Sequence, residues 1–232
     1  MTELAPNENK NLVIEVDGAR YLRMPIKTHV VTPEDDIGDV AKKYALPHIQ
    51  KGDILFVSEK CTAASQRRAI PVDEIHPRKL AVILSDHVTK TPIGIGLGMP
   101  VTMEMAIQEV GTPRILLATV AGAVGRLFRK KGWFYVVAGR KAATIDGPAD
   151  YVIPPYNRCV VLSPAEPDKT ARGISKKIGI EAAIVDINDF GGEVMGASSD
   201  KVDREFIIKV LKDNPLGQTR QQTPMGLIRK IS

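Results

Sequence analysis

Short apolar runs divided by Gly, Pro and Asp set the pattern of this chain. Asn11–Val16 and Arg20–Met24 flank Asp17-Gly18, a strong short hairpin signal, so both runs are expected to be strands. A third extended run, Ile26–Val31, ends at Thr32-Pro33. There a capping hydroxyl, a proline and the carboxylates of Glu34, Asp35 and Asp36 predict a helix start, with Ile37, Val40, Ala41 and Tyr44 on its inner face. Gly52-Asp53 turns the chain into Ile54–Ser58, short and apolar enough for a buried strand, whereas Glu59–Val72 has no clean period. Helices are predicted over Pro77–Val88, with Leu80, Ala81, Ile83 and Leu84 inward, and from Pro100 through Val110. Arg114–Val120 reads as a buried strand and Trp133–Ala138 as a β-prone stretch. Cys159–Leu162 and Ala182–Val185 read as strands around a helix over Asp168–Ile178, followed by a helix at Val202–Leu211 and a strand at Met225–Arg229. Strands and helices do not alternate strictly, which predicts an α+β fold of mixed sheets with helices. We read residues 1–232 as a single domain, built of two closely packed lobes.

Composition narrows the function classes. Of 232 residues, 44% are hydrophobic and 25% charged, which excludes general disorder. Lys and Arg outnumber Asp and Glu by 32 to 27, a small excess suited to an anionic small molecule. Aromatic residues make up 5%, too few to offer stacking platforms, so no nucleic-acid partner is expected. Cys61 and Cys159 with four scattered histidines have neither disulfide-framework nor zinc spacing. Met1–Asn11 is polar, the pattern of a tail and not of a signal peptide, and the longest apolar run, Ile115–Val124, is about half a membrane span. The expectation is a cytoplasmic protein with no membrane partner.

Four groups could carry chemistry. Gly94-Ile95-Gly96-Leu97-Gly98 lacks both established phosphate-loop spacings. Gly122 and Gly125 follow a predicted strand, where a helix N-terminus could meet an anion, although tight turns and close packing more often explain such glycines. Asp146-Gly147 and Asp186-Ile187-Asn188-Asp189 stand at strand ends, where carboxylates can converge on a divalent ion or simply form Asx turns. Gln218, Thr219, Gln221, Gln222 and Thr223 offer neutral hydrogen-bonding groups just before a strand. Lys60 and Arg67-Arg68, beyond the strand Ile54–Ser58, could hold phosphates or form a solvated basic surface.

Five stretches in a fixed order carry a family resemblance. They are Met24-Pro25-Ile26-Lys27 with Glu34-Asp35-Asp36-Ile37; Gly52-Asp53 through Ser58-Glu59-Lys60, running on to Ser65-Gln66-Arg67-Arg68; Ile145-Asp146-Gly147 with Val161 to Ala171; Asn188-Asp189-Phe190-Gly191-Gly192; and Gly217-Gln218 through Gln222-Thr223-Pro224 to Arg229. In this order they resemble the gamma-glutamyl ligases that add glutamate to the deazaflavin coenzyme F-420. The likeness spans Met24 to Lys230 and thins over Pro77–Trp133.

The resemblance implies a homodimeric, GTP-dependent ligase using Mg²⁺ or Mn²⁺ to join L-glutamate to an anionic carboxylate acceptor through an acyl phosphate. It also implies that Pro25, Ile26, Glu59, Lys60, Gln218 and Gln222 meet the nucleotide, with Asp146, Asn188 and Asp189 as metal ligands. The chain departs from the family pattern at four places. Asn188-Asp189 stands for Asp-Thr, Gly191-Gly192 for Gly-Arg, Ala63-Ala64 for Ser-Lys, and Gln66-Arg67-Arg68 for Glu-Gly-Arg. It is thus a divergent member, for which a nucleotide- or anion-binding protein without catalysis is the alternative expectation.

Overall fold

The computed structural model describes residues 4–88, 96–130, 132–188, 191–217 and 219–231. Gly94 and Ile95 of the glycine-rich stretch lie outside them. The chain divides into two compact units, one formed by Met1–Arg67 with Pro164–Ser232 and the other by Arg68–Ser163. The first unit opens with β1 (Val13–Val16), β2 (Ala19–Ile26), α1 (Ile37–Tyr44), β3 (Ile54–Ser58) and α2 (Glu59–Ser65). The second contributes β4 (Ala69–Pro71), α3 (Lys79–Asp86), α4 (Pro100–Val110), α5 (Thr112–Leu127), α6 (Trp133–Ala138), α7 (Arg140–Ala143) and β5 (Cys159–Val161). The first then resumes with α8 (Pro167–Ile178), β6 (Glu181–Asn188), β7 (Gly191–Ala197), α9 (Arg204–Leu211) and β8 (Met225–Lys230). The result is the mixed α+β fold that the pattern predicts.

In the first unit a six-stranded sheet runs β1-β2-β8-β3-β6-β7, with β3 and β6 parallel and the other neighbours antiparallel. Period-two alternation gives it two apolar faces. Leu55, Val57, Ala182, Ile184 and Leu227 pack against α1 and α8, while Phe56, Ala183, Val185 and Ile228 pack against α9. Asp17 and Gly18 hold φ of 51° and 77°, the left-handed pair that a two-residue hairpin turn requires. The Met1–Asn11 stretch, read as a tail, is tied down within its described part. Asn7 Nδ2 donates to Pro215 O and to Thr223 Oγ1, both at 2.8 Å.

Several sequence readings are corrected here. The strand expected over Ile26–Val31 stops at Ile26, because Thr28 N–H bonds Gln222 O and leaves the ladder. Thr32 does not start the following helix. It closes a turn with Asp35, and Asp36 caps α1 by accepting from Asp39 N–H at 3.0 Å. The aperiodic Glu59–Val72 segment holds α2 and β4, and Ile83 on α3 faces solvent. Arg114–Val120 and Trp133–Ala138 are helical, in α5 and α6. Gly122 and Gly125 are therefore not at a strand end but inside α5, where an added methyl would come within 3.1 Å of Phe134 Cβ and 2.8 Å of Lys130 O respectively. Close helix packing, not propensity, decides this region.

Carboxylates brace both units. Lys177 on α8 bonds Asp36 and Asp39 at 2.8 and 2.7 Å, and this ion pair holds Asp36 below the usual carboxylate range. Asp168 is lowered chiefly by Ala197 N–H, with help from Arg204. Burial pushes Glu104 upward, but Arg78 and Gln108 outweigh it and leave that carboxyl lowered. A carboxylate whose native pKa is depressed contributes stability above its unfolded value and loses it as pH falls through the native one. The unfolded values lie near 3.8 for Asp and 4.5 for Glu. Tm should therefore stay level down to about pH 5 and fall steeply below about pH 4, as a calorimetric series will test.

Candidate active site

β2 and β3 are both antiparallel to β8, and β6 is parallel to β3. The C-terminal ends of β2, β3 and β6 therefore share one end of the sheet with the start of β8. Chain direction alone brings Pro25 and Ile26, Glu59 and Lys60, Asn188 and Gln222 to this end, although they are distant in sequence. β1 pairs only Ala19–Leu22, so Pro25 occupies the half of β2 with an open side, where its missing N–H breaks no ladder bond. Ser58 N–H donates to Pro224 O at 2.8 Å, joining the ends of β3 and β8. Glu59 is buried and Lys60 exposed in the first turn of α2.

Gln222 is the most constrained residue of this group. Its φ is 60°, left-handed and unusual for a non-glycine, at a cost on the order of 1 kcal/mol. Two bonds hold it there. Its Nε2 donates to Thr28 O at 2.7 Å, and Thr28 N–H donates back to its carbonyl at 3.2 Å. The loop from Thr28 to Asp36 is fixed in turn by a chain of side chains that sequence reasoning missed. His29 Nδ1 lies 3.0 Å from Tyr44 Oη, and its Nε2 lies 3.0 Å from Asp35 Oδ1. Asp35 Oδ2 accepts from Thr32 N–H at 2.7 Å and from the Thr32 hydroxyl at 3.0 Å. The Thr32 N–H above all, with His29, holds the Asp35 carboxyl below its ordinary range despite partial desolvation. Asp35 is thus a loop brace and not part of the helix start expected of it. The signal was its spacing of three residues from Thr32.

Two of the three expected metal ligands fall among the described residues, one in each unit. Asn188 ends β6 in the first unit, opposite Gly191 on β7. Asp186, expected beyond the strand end, lies within β6 opposite Glu193. Asp146 belongs to the second unit, where its N–H and C=O both bond Val161 at 2.9 Å. Asp189 and Gln218 lie outside the described residues. Among the described residues no three His, Cys, Asp or Glu side chains form a group able to hold a metal ion. The oxygen donors of Asp146 and Asn188 suit Mg²⁺ or Mn²⁺ in kind.

The basic group straddles the boundary between the units in sequence. Lys60 stays at the sheet end and Arg67 is exposed, whereas Arg68 begins the second unit and pairs with Glu109 at 2.6 Å. Arg229, which closes the last motif, stands at the far end of β8. It grips buried Asp53 through two bonds of 2.8 and 2.7 Å, so the Gly-Asp of one motif and the Arg of another form a single structural ion pair. Both cysteines are buried, and desolvation pushes their thiols upward, which disfavours the thiolate form.

The sequence profile of the F420-0:gamma-glutamyl ligase family matches residues 25–195. The chain belongs to this family. No curated protein matches it significantly. The matched span contains the Pro25–Ile26 strand end, the Glu59–Lys60 turn and Asn188, and stops short of Gln222. Membership points to ligase chemistry in F-420 biosynthesis, and the sheet end is where ligase-motif residues of the first unit meet.

Proposed function

We propose that the protein is a GTP-dependent amide ligase that joins L-glutamate to a carboxylate acceptor, the F-420 precursor or a related anion. In this reading an acceptor carboxylate oxygen attacks the γ-phosphorus and GDP leaves, giving an acyl phosphate. The glutamate amine, losing a proton, then attacks the acyl carbon and expels phosphate. Pro25, Ile26, Gln218 and Gln222 would line the nucleotide, and the Lys60 ammonium would face phosphate oxygens where charge develops. A divalent ion, Mg²⁺ or Mn²⁺, would neutralise phosphate charge, with Asp146, Asn188 and Asp189 as its protein ligands. We also propose a cytoplasmic homodimer. The observation that carries the reading is the convergence of Pro25, Ile26, Glu59, Lys60, Asn188 and Gln222 on one sheet end within a chain of this family.

The alternative is a binding protein that keeps the fold without catalysis. It is favoured by how firmly two departures are built in. A Cβ at Gly192 would run into the end of the Ile187 side chain and come within 3.1 Å of Asp186 O, so the family's arginine would fit only with Ile187 turned aside. Ala63 and Ala64 are buried, where a lysine would have to shed its water. Titrating GTP and ATP calorimetrically, with Mg²⁺ or Mn²⁺ and with EDTA, separates the two readings. The ligase reading expects GTP binding at micromolar concentration that EDTA or Asp146→Ala abolishes, followed by glutamate-dependent phosphate release. A ligand retained in EDTA, with no nucleotide turnover, would establish the alternative.

A further inference from the structure

We propose that α5 and the chain leading into α6 dock the protein onto an anionic lipid surface. α5 is apolar on the wrong side for a helix that serves only its own core. Its buried face carries Ile115, Ala118 and Gly125, with Gly122 set close against Phe134. Its large side chains, Leu116, Leu117, Val120, Val124, Leu127 and Phe128, are all exposed, with Leu117 at 65%, Val120 at 62% and Leu127 at 80%. At 3.6 residues per turn these six positions fall within about a third of the helix circumference, one continuous stripe. Val136 on α6 adds a further apolar side chain that is 80% exposed. Together they expose on the order of several hundred Å² of apolar surface, at or beyond what soluble monomers commonly show.

Charge identifies the occupant. Between Glu109 and Asp146 the sequence has no acidic residue and seven Lys or Arg. Two copies meeting through this segment would bring like charges together, with no carboxylate in it to offset them. An anionic surface complements both the charge and the stripe. Arg114 and Arg126 flank the stripe, and Arg129 and Lys130 follow its C-terminal end, beside Phe128 and Trp133. This is the composition of a helix lying in a membrane interface, with Leu, Phe and Trp inward and Lys and Arg at the headgroups. Among the described residues no helix is long and apolar enough to cross a membrane, and lying on one requires no such helix. The absence of a membrane partner expected from the sequence rested on the lack of a span, which does not bear on this mode.

Trp133, the chain's only tryptophan, packs against Gly125 on the inner side of α5 and is itself 38% exposed, so it reports on the neighbourhood of the patch. With vesicles of 70% phosphatidylcholine and 30% phosphatidylserine, its emission should shift to the blue and the full-length protein should co-sediment, far less so with pure phosphatidylcholine. Raising the salt should weaken binding. Reversing Arg129 and Lys130 to glutamate should lower partitioning by at least about 25-fold, roughly fivefold for each charge. Val120→Glu with Leu127→Glu should abolish it while leaving Tm unchanged, because both positions are exposed. No co-sedimentation with either vesicle, or equal binding to both, would overturn the proposal. So would a dimer, seen by light scattering without lipid, that Val120→Glu dissociates, since a second copy would then cover the face.

Discussion

Replacing Asp53 with alanine is expected to remove about 3–5 kcal/mol of stability, the usual penalty for stranding one member of a buried ion pair. The Asp53 side chain is fully buried, and its two oxygens receive Arg229 Nε and Nη2, while Gln50 N–H donates to Oδ2 at 2.8 Å. Without the carboxylate, the Arg229 guanidinium keeps, among the described residues, only its bond to His48 O and stays mostly desolvated. A domain of ordinary stability holds about 5–15 kcal/mol, so this one change approaches the limit of folding. Urea denaturation of the single variant and of Asp53→Leu with Arg229→Met measures it. The double variant should recover most of the loss, because a filled apolar pair replaces a stranded charge. If the single variant loses less than 1 kcal/mol, the pair is not the clamp described.

Lys60→Ala should behave in the opposite way, with Tm unchanged and catalysis lost. Lys60 is exposed in the first turn of α2, so its removal opens no cavity. If it faces the phosphoryl group in transfer, losing that charge should lower kcat for GTP-dependent glutamylation by about 100-fold or more. Lys60→Arg should restore only part of it, since a planar guanidinium does not reproduce a point charge on a flexible stem. Steady-state phosphate release by wild type and both variants decides the matter. An unchanged kcat in Lys60→Ala would remove this residue from the proposed chemistry.

The two variants mark how far the sequence was readable. Elements bounded by local signals were legible. Asp17-Gly18 fixed a hairpin, Pro100 opened a helix, and the run Ile54–Ser58 was a buried strand. The α5–α6 region was not legible, because Ile115, Val120, Trp133, Tyr135 and Val136 favour strands locally. The small residues Ala118, Gly122 and Gly125 acquire their meaning only once a second helix packs on them. Motif order located the sheet-end residues, since strand direction follows from chain order. It could not show that Asp146 lies in a different unit from Asn188, nor that the last motif's arginine is held by Asp53 at the far end of the sheet. Such pairings arise across long stretches of chain and leave no periodic trace.

Where the chain leaves and rejoins the first unit has an evolutionary consequence. On the first unit's side, Gln66 exchanges side-chain bonds with the backbone of Ala165 at 2.7 and 3.1 Å. On the second unit's side, Leu162 N–H donates to Arg68 O at 2.8 Å, and Arg68 Nε donates to Ser163 O. Each unit thus closes its own doorway, and the segment between behaves as an inserted cassette. Because its two ends already meet, the cassette can lengthen, shorten or change its surface without straining the sheet. Selection could therefore rework α5 and α6 for a new task while the strands that carry the ligase motifs stayed under their original constraint. The thinning of family resemblance across Pro77–Trp133 is what such separate histories would leave behind.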